Sequence, residues 1–237
     1  MGGGTDIADI TDITNIVDFS LKLENVCFAY SNKPGRRGFE LIVESFTPGL
    51  CTAALGENGS GKTTLGKLIV GILRPDSGRV LYDGEDIANW RLGKIGKQVG
   101  YLFQEPSRQI FAPRPIEEIA FPLELRGASK PEAEKKAREL LAEFELENIA
   151  GNTTYTLSRG EKQRLAIASI MACEPKFFVL DEPTTGLDKR QRGILSELLK
   201  KLTARGIGVL IISHDRMFVE ELGAEIRFMK GGRLIDK

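Results

Sequence analysis

The chain has 237 residues, enough for one substantial core with a subdomain and too few for two independent domains of that size. Its 33 basic and 33 acidic residues cancel, so no global field draws it toward nucleic acid or an anionic membrane. Cys27, Cys51 and Cys173 are odd in number and lack metal-ligand spacing, which suits small buried apolar residues in a reducing cytosol.

No apolar stretch approaches the roughly 20 residues of a membrane span, and the first residues show no secretory leader. The expectation is that any membrane role comes through partner chains. Residues 1–18, rich in Gly, Asp and Thr with isoleucines three apart, are expected to be a mobile tail or an expression remnant. From Phe19 a strand pattern runs through Leu21, Leu23 and Val26 to Tyr30, and a basic loop at 31–38 breaks it. Two further strands are expected near 39–45 and 50–55, the second entering a glycine-rich loop. A helix from about Gly61 carries Leu65, Leu68, Ile69, Ile72 and Leu73 on one face until Pro75 stops it.

Ser129-Lys130-Pro131-Glu132 reads as a capping box opening an amphipathic helix, with Leu140, Leu141 and Phe144 inward. The alternating charges of 132–145 suit a solvated face. From Lys176 the pattern becomes buried strand (FFVL), helix over 189–205 ended by Gly206, buried strand (VLII), short helix, and a hairpin turning at Gly231-Gly232. All-apolar strands alternating with helices predict an α/β fold with a mostly parallel sheet. The expected core is 19–103 and 175–237, with 104–174 as a helical insertion. No internal repeat is visible.

The segment Gly56, Glu57, Asn58, Gly59, Ser60, Gly61, Lys62, Thr63, Thr64 matches the P-loop pattern G-x-x-x-x-G-K-[ST] between an apolar strand and a helix. Its backbone N–H groups are expected to cradle phosphates at the positive end of that helix. Lys62 would bridge the β- and γ-phosphates and the Thr63 hydroxyl would ligate Mg²⁺. Alone the motif licenses only binding of a nucleoside triphosphate. The strand FFVLDEP ends in two acids: Asp181 is placed to hold Mg²⁺, and Glu182 to orient and deprotonate an attacking water. Either acid alone could cap the following turn. Both together with a P-loop point to hydrolysis.

Four further motifs stand in a fixed order around these. Tyr30 precedes the P-loop, and Gln104 follows a strand in YLFQEP. Leu157-Ser158-Arg159-Gly160-Glu161 precedes the acidic pair, and His214 ends VLIISHD. This series, covering about residues 19–237, resembles the nucleotide-binding domain of ABC ATPases. The resemblance implies a P-loop fold with a mostly parallel core sheet, an antiparallel β subdomain and an inserted helical subdomain. It makes Tyr30 the aromatic that stacks on adenine, although a plain core or surface tyrosine stays open. Gln104 becomes the residue that touches Mg²⁺ and the water, and His214 the switch that reaches the γ-phosphate and the catalytic glutamate.

LSRGE resembles the signature LSGGQ but has Arg159 where Gly is usual and Glu161 where Gln is usual. Ser158 and Gly160 are retained, and would contact the ATP held by a second subunit. Arg159 would either add a positive charge near that γ-phosphate or lie solvated beside it. Thr185-Gly186-Leu187-Asp188 matches the loop through which the subunits touch, with Asp188 its acid.

The 96 positions between Lys62 and Ser158 leave no room for the coiled coils of chromosome-maintenance relatives, and the length excludes fused translation-factor relatives. The stretch FQEP…QIFA…EEIAF is similar to the ATPases of cobalt-type and energy-coupling-factor (ECF) importers, many of which extend beyond the final hairpin, where this sequence ends at Lys237. It places a partner groove along 105–125, with Ile110, Phe111, Ile116, Ile119, Phe121 and Leu123. The function implied is an ATP-hydrolysing subunit that uses Mg²⁺ and powers a membrane importer. Its implied partners are ATP, a second ABC ATPase subunit (identical or not) and an integral membrane subunit, with no nucleic acid. Its implied place is cytoplasmic, on the inner face of the membrane. A soluble ABC ATPase, such as an iron–sulfur assembly scaffold, and a regulatory ATP-binding module stay open as alternatives.

Overall fold

The computed structural model describes residues 20–30 and 39–235. The expected tail at 1–18 and the basic loop at 31–38 lie outside the described residues.

Two sheets organise the chain. The first is antiparallel, in the order β2 (Phe39–Phe46), β1 (Leu21–Phe28), β4 (Ser77–Tyr82), β5 (Glu85–Asp86). The second has six strands in the order β10 (Arg233–Ile235), β9 (Glu225–Lys230), β3 (Cys51–Leu55), β8 (Gly208–Ser213), β7 (Phe177–Asp181), β6 (Val99–Leu102). All its neighbours are parallel except the β9–β10 hairpin. Every residue of β7 and β8 is buried, which a strand covered by helices on both faces requires. That is why FFVL and VLII read as continuous apolar runs rather than alternating ones. The hairpin turns where the sequence placed it, with Gly231 and Gly232 at φ 56° and 82°, the pair of positive φ values that such a turn needs.

Helix α1 (Lys62–Ile69) is shorter than the sequence pattern suggests. Val70 caps it and Gly71 turns left-handed at φ 67°, so Ile72 leaves the apolar face and stands exposed while Leu73 still packs inward. The apolar period continued past the helix because the turn after it also delivers a side chain to the core. A short α2 (Leu92–Ile95) follows. Between β6 and β7 lie α3 (Pro115–Leu125), α4 (Lys130–Glu143) and α5 (Arg159–Met171), without a strand. Both sides of the Ser129–Glu132 capping box form, and Leu140, Leu141 and Phe144 are buried beneath α4. The chain closes through α6 (Lys189–Ala204) and α7 (Arg216–Leu222).

Two apolar cores flank the parallel sheet. One joins α3–α6 to the sheet, and the other holds α1 between it and the antiparallel sheet. Truncating a fully buried side chain such as Phe178 should cost about 3–5 kcal/mol. Cys27, Cys51 and Cys173 are half-buried rather than fully inside. Burial still pushes the Cys51 thiol up to about 12, which leaves it inert at neutral pH.

The register decides where chemistry can sit. Leu55 pairs with Ser213, Asp181 with Ile212, and Leu102 with Leu180. The carboxyl ends of β3, β8, β7 and β6 therefore form one edge, where open parallel sheets bind ligands. Each strand releases there a segment that the motif analysis selected.

Candidate nucleotide site at the strand ends

The P-loop leaves β3 with Gly59 and Gly61 at φ 82° and 109°, and Gly61 caps α1. This curls the backbone so that N–H groups turn toward one centre at the positive end of the helix. Lys62 is buried, and its ammonium donates to the carbonyls of Gly56 (2.7 Å) and Glu57 (3.0 Å). The lysine thus spans the loop it belongs to, with its charge held over the cradle. Ser60 ties the loop to the closing hairpin, its carbonyl accepting from Gly232 N at 3.0 Å.

Asp181 ends β7 at 2% exposure. Its Oδ1 accepts from the Thr63 hydroxyl (3.1 Å) and its Oδ2 from the Tyr101 hydroxyl (3.0 Å). Burial raises its pKa above the usual carboxylate range, opposed by those two hydroxyls and reinforced by the charge of neighbouring Glu182. Glu182 is also buried and takes a left-handed backbone at φ 50°, which costs of order 1–3 kcal/mol for a residue with a side chain. Its N–H still bonds Ile212 of β8 at 2.7 Å, so the strand edge holds the strained residue in place. His214, just beyond β8, brings Nδ1 to 2.8 Å from Glu182 Oε2 while more than half of its side chain faces solvent. Arg192 pairs with neighbouring Asp215 at 2.6 Å and anchors that turn to α6.

The donors gathered here are oxygens of Thr63 and Asp181, with Glu182 beside them. Among the described residues no cluster of three or more His, Cys, Asp or Glu forms a metal cage. A short, hard-oxygen set fits Mg²⁺, which takes one or two protein oxygens and completes its shell from phosphate and water. Ser60 Oγ is buried with no hydrogen-bond partner among the described residues, as expected of an atom inside a phosphate cradle.

The other selected residues fall around this edge. Tyr30 is exposed beside the P-loop, its hydroxyl 3.2 Å from Thr64 Oγ1 and its ring edge-on to Phe28. Gln104 is exposed, and the bond described for it runs through its carbonyl, from Arg159 Nη2 at 3.3 Å. Ser158 caps α5 in a capping box with Glu161, whose carboxyl is held below the usual range chiefly by the Ser158 hydroxyl. Gly160 packs on Gln191, and Asp188 caps α6 by accepting from Gln191 N at 2.8 Å. Among the described residues no hydrogen bond joins 158–161 to the P-loop. The structure brings Thr63, Asp181, Glu182 and His214 together, while the described contacts of the signature run to the Gln104 turn and the loop after Glu182.

Two contributors escaped the sequence reading. Tyr101 carries the hydroxyl that braces Asp181. Gln109 donates to the Tyr101 carbonyl (3.0 Å) and accepts from Phe103 N (3.2 Å), fixing the turn around Gln104. A polar-tipped aromatic near the end of a strand beside the acidic one was the available signal for Tyr101. Gln109 enters the sequence reading only as part of the QIFA stretch, with no role of its own.

Residues 42–185, more than half of the chain, match the ABC transporter family. A provisionally named ABC transporter ATP-binding protein of Pyrococcus horikoshii is 37% identical, over 90% of this chain and 81% of its own. Similarly named proteins of Methanosarcina acetivorans and Caldanaerobacter subterraneus are 40% and 38% identical. The chain spans only about a third of their length, 34% and 38%. Among solved structures, CbiO1 of Clostridium perfringens, described as part of the ABC transporter complex CbiONQ, superposes with a TM-score of 0.83 at 33% identity, over 91% of this chain and 86% of its own. A dimeric ATP-binding cassette bound to ADP and phosphate gives 0.80 at 30%, over 91% and 97%. With the P-loop, the acidic strand end and the histidine on one sheet edge, the chain belongs to the ABC transporter family, as one of its ATPase domains.

Proposed function

We propose that this domain hydrolyses Mg²⁺-ATP at the strand-end site and powers a membrane importer of the cobalt or ECF type through closure of an ATPase dimer. The observation that carries hydrolysis is the buried, strained Glu182 beside Asp181 and within 2.8 Å of His214. In this reading Lys62 and the P-loop amides bind the phosphates, and Thr63 and Asp181, with Gln104, would hold Mg²⁺, which would supply positive charge against the phosphates. Glu182 takes the proton of the attacking water, and His214 steadies Glu182. Tyr30 stacks on the base. Ser158 and Gly160 serve the ATP of the second subunit, and Asp188 lies at that contact.

An exposed apolar groove supports the importer reading. Ile72, Leu92, Phe111, Phe121 and Leu125 stand exposed around a hollow of about 480 Å³ beside the Gln104–Gln109 turn. The apolar stripe along 105–125 divides: Ile119 is buried, and Ile110, Ile116 and Leu123 pack partly against the core. Phe111 and Phe121 form an exposed edge-on pair with ring centres 4.9 Å apart. Paired aromatics left in water suit a docking surface for a short helix of a membrane subunit. The description of CbiO1 as part of a transporter complex points the same way. No helix among the described residues is long and apolar enough to cross a membrane, so in this reading the domain sits on the cytoplasmic face and is held there by its partner.

Phe111→Asp tests the docking surface. Phe111 is 62% exposed, so its replacement should leave thermal stability within about 0.5 kcal/mol of the parent. Copurification with membrane proteins from the native host should be lost. Undiminished copurification by the folded variant would remove the importer reading.

A further inference from the structure

We propose that Arg159 ties the signature segment to the Gln104 turn of its own subunit, and so links the ATP site that this subunit holds to the one that its signature completes. The inference rests on the proposed function, in which those two sites lie across a dimer.

Arg159 is exposed, and it also makes contacts within its own subunit that the sequence did not show. It is the first residue of α5, and its side chain lies flat on Gly186. A Cβ at Gly186 would come within 2.8 Å of Arg159 Cδ and 2.9 Å of Nε, and Gly186 holds φ at 74°. From there Nη2 donates to the Gln104 carbonyl at 3.3 Å. Gly186 belongs to the pair of consecutive turns that Glu182 opens, closed by Thr185 N to the Glu182 carbonyl at 3.2 Å and by Leu187 N to the Thr184 carbonyl at 3.1 Å. The guanidinium therefore bridges two loops that leave the adjacent strands β6 and β7, one carrying Gln104 and the other Glu182.

The same helix end is fastened at two further points, one on that second loop and one at the start of α6. Gln163 donates to the Pro183 carbonyl, and Gly160 packs against Gln191. The first turns of α5 therefore cannot shift without moving the 183–191 segment. Arg159 adds the one described hydrogen bond from the signature to the Gln104 turn. Its acceptor is a backbone carbonyl, so the bond follows that turn whatever the Gln104 side chain contacts. When Gln104 moves with the state of its own nucleotide, the planar fork of Arg159 carries that movement to Ser158 and Gly160. A glycine at this position, usual in the signature, has no side chain to make the tie. A lysine keeps the charge but not the fork.

Two measurements on the full chain decide the point. In hydrogen exchange without nucleotide, Arg159→Gly should speed the bonded amides of Phe103, Arg108 and Gln109 by about fivefold or more. Unchanged exchange there overturns the tie. A double-mutant cycle on kcat/KM for ATP then tests coupling. Gln104→Ala should cost at least about threefold less in an Arg159→Gly background than in the parent. Additive losses overturn the link between sites. Arg159→Lys should stay uncoupled, with fast exchange. Full recovery of the parent kinetics by lysine would assign Arg159 to charge alone and overturn the proposal. A parent chain that hydrolyses no ATP would overturn the proposed function instead, while the exchange comparison still decides the tie.

Discussion

Replacing Tyr101 by Phe removes one hydroxyl and leaves the ring, so it isolates the bond that braces Asp181. The ring is half-buried and stands edge-on to Phe103 at 5.0 Å, a contact that phenylalanine keeps. The lost interaction is a 3.0 Å bond to a carboxyl of 2% exposure. Hydrogen bonds to charged groups are worth about 1.5–3 kcal/mol, and a buried acceptor that loses its donor costs about 1–3 kcal/mol. For a chain of this size each kcal/mol moves the unfolding midpoint by about 2–4 °C. The variant should therefore melt about 2–12 °C below the parent by circular dichroism. Oδ2 would then be free to swing away from the Thr63 side. Loss of a group that orients a metal ligand commonly weakens metal affinity by about 10–100-fold. The Mg²⁺ concentration for half-maximal turnover at saturating ATP should rise by that factor, with little change in KM for ATP once Mg²⁺ is in excess. A parental Mg²⁺ dependence in a correctly folded Tyr101→Phe protein would refute the placement of Asp181 as the metal-holding acid.

Lys62→Ala deletes the ammonium that spans the Gly56 and Glu57 carbonyls, so most Mg²⁺-ATP affinity should disappear by calorimetry while the circular dichroism spectrum holds. Tight binding by the folded variant would sink the P-loop assignment. Glu182→Gln keeps shape and backbone strain but cannot take a proton. It should bind ATP, lose turnover by at least about 100-fold, and elute as a nucleotide-dependent dimer on gel filtration; parental hydrolysis would exclude Glu182 as the base. Glu118 is buried and accepts from the N–H groups of Phe111 (3.0 Å) and Ala112 (2.8 Å), and burial raises its pKa above 4.5 in spite of those bonds. A raised carboxyl stabilises the fold fully below its unfolded pKa, and that contribution is lost as pH climbs through the folded value. Glu118→Gln should flatten the fall in urea midpoint as pH rises from about 4.5; an unaltered slope would mean that Glu118 titrates normally.

The sheet was legible because its chemistry is local. Strands β7 and β8 are apolar throughout since both faces are covered, and that pattern survives in FFVL and VLII. The cap of α4 and the Gly-Gly hairpin were visible for the same reason, because each is decided within four residues. Helix α1 was overextended because Leu73 reaches the core from a turn rather than a helix, and apolar period alone does not distinguish the two. Thr63, Asp181 and Glu182 announced themselves through the P-loop and strand-end pattern, whereas Tyr101 acts by reaching across to the neighbouring strand and Gln109 by closing a turn that no motif marks. Sequence spacing could not show that the exposed Arg159 also packs against Gly186 and reaches the Gln104 carbonyl.

The strand-end edge concentrates what the rest of the fold avoids. Asp181 and Glu182 place two carboxyls side by side with little water around them, and the second stands on a left-handed backbone. Neither arrangement is needed to close the sheet, since the pairing of β7 with β8 continues through Asp181 to Ile212. Both are tolerated because the strands beneath are fully buried and fixed in register, so the local cost of a few kcal/mol is set against a large apolar core. In the proposed reading, a cation held by Thr63 and Asp181 would relieve the carboxylate repulsion, and a proton on Glu182 would relieve it further. In that reading the local cost at the strand end would be lowest once the cation is bound and the water has given up its proton, which would favour hydrolysis over simple nucleotide storage.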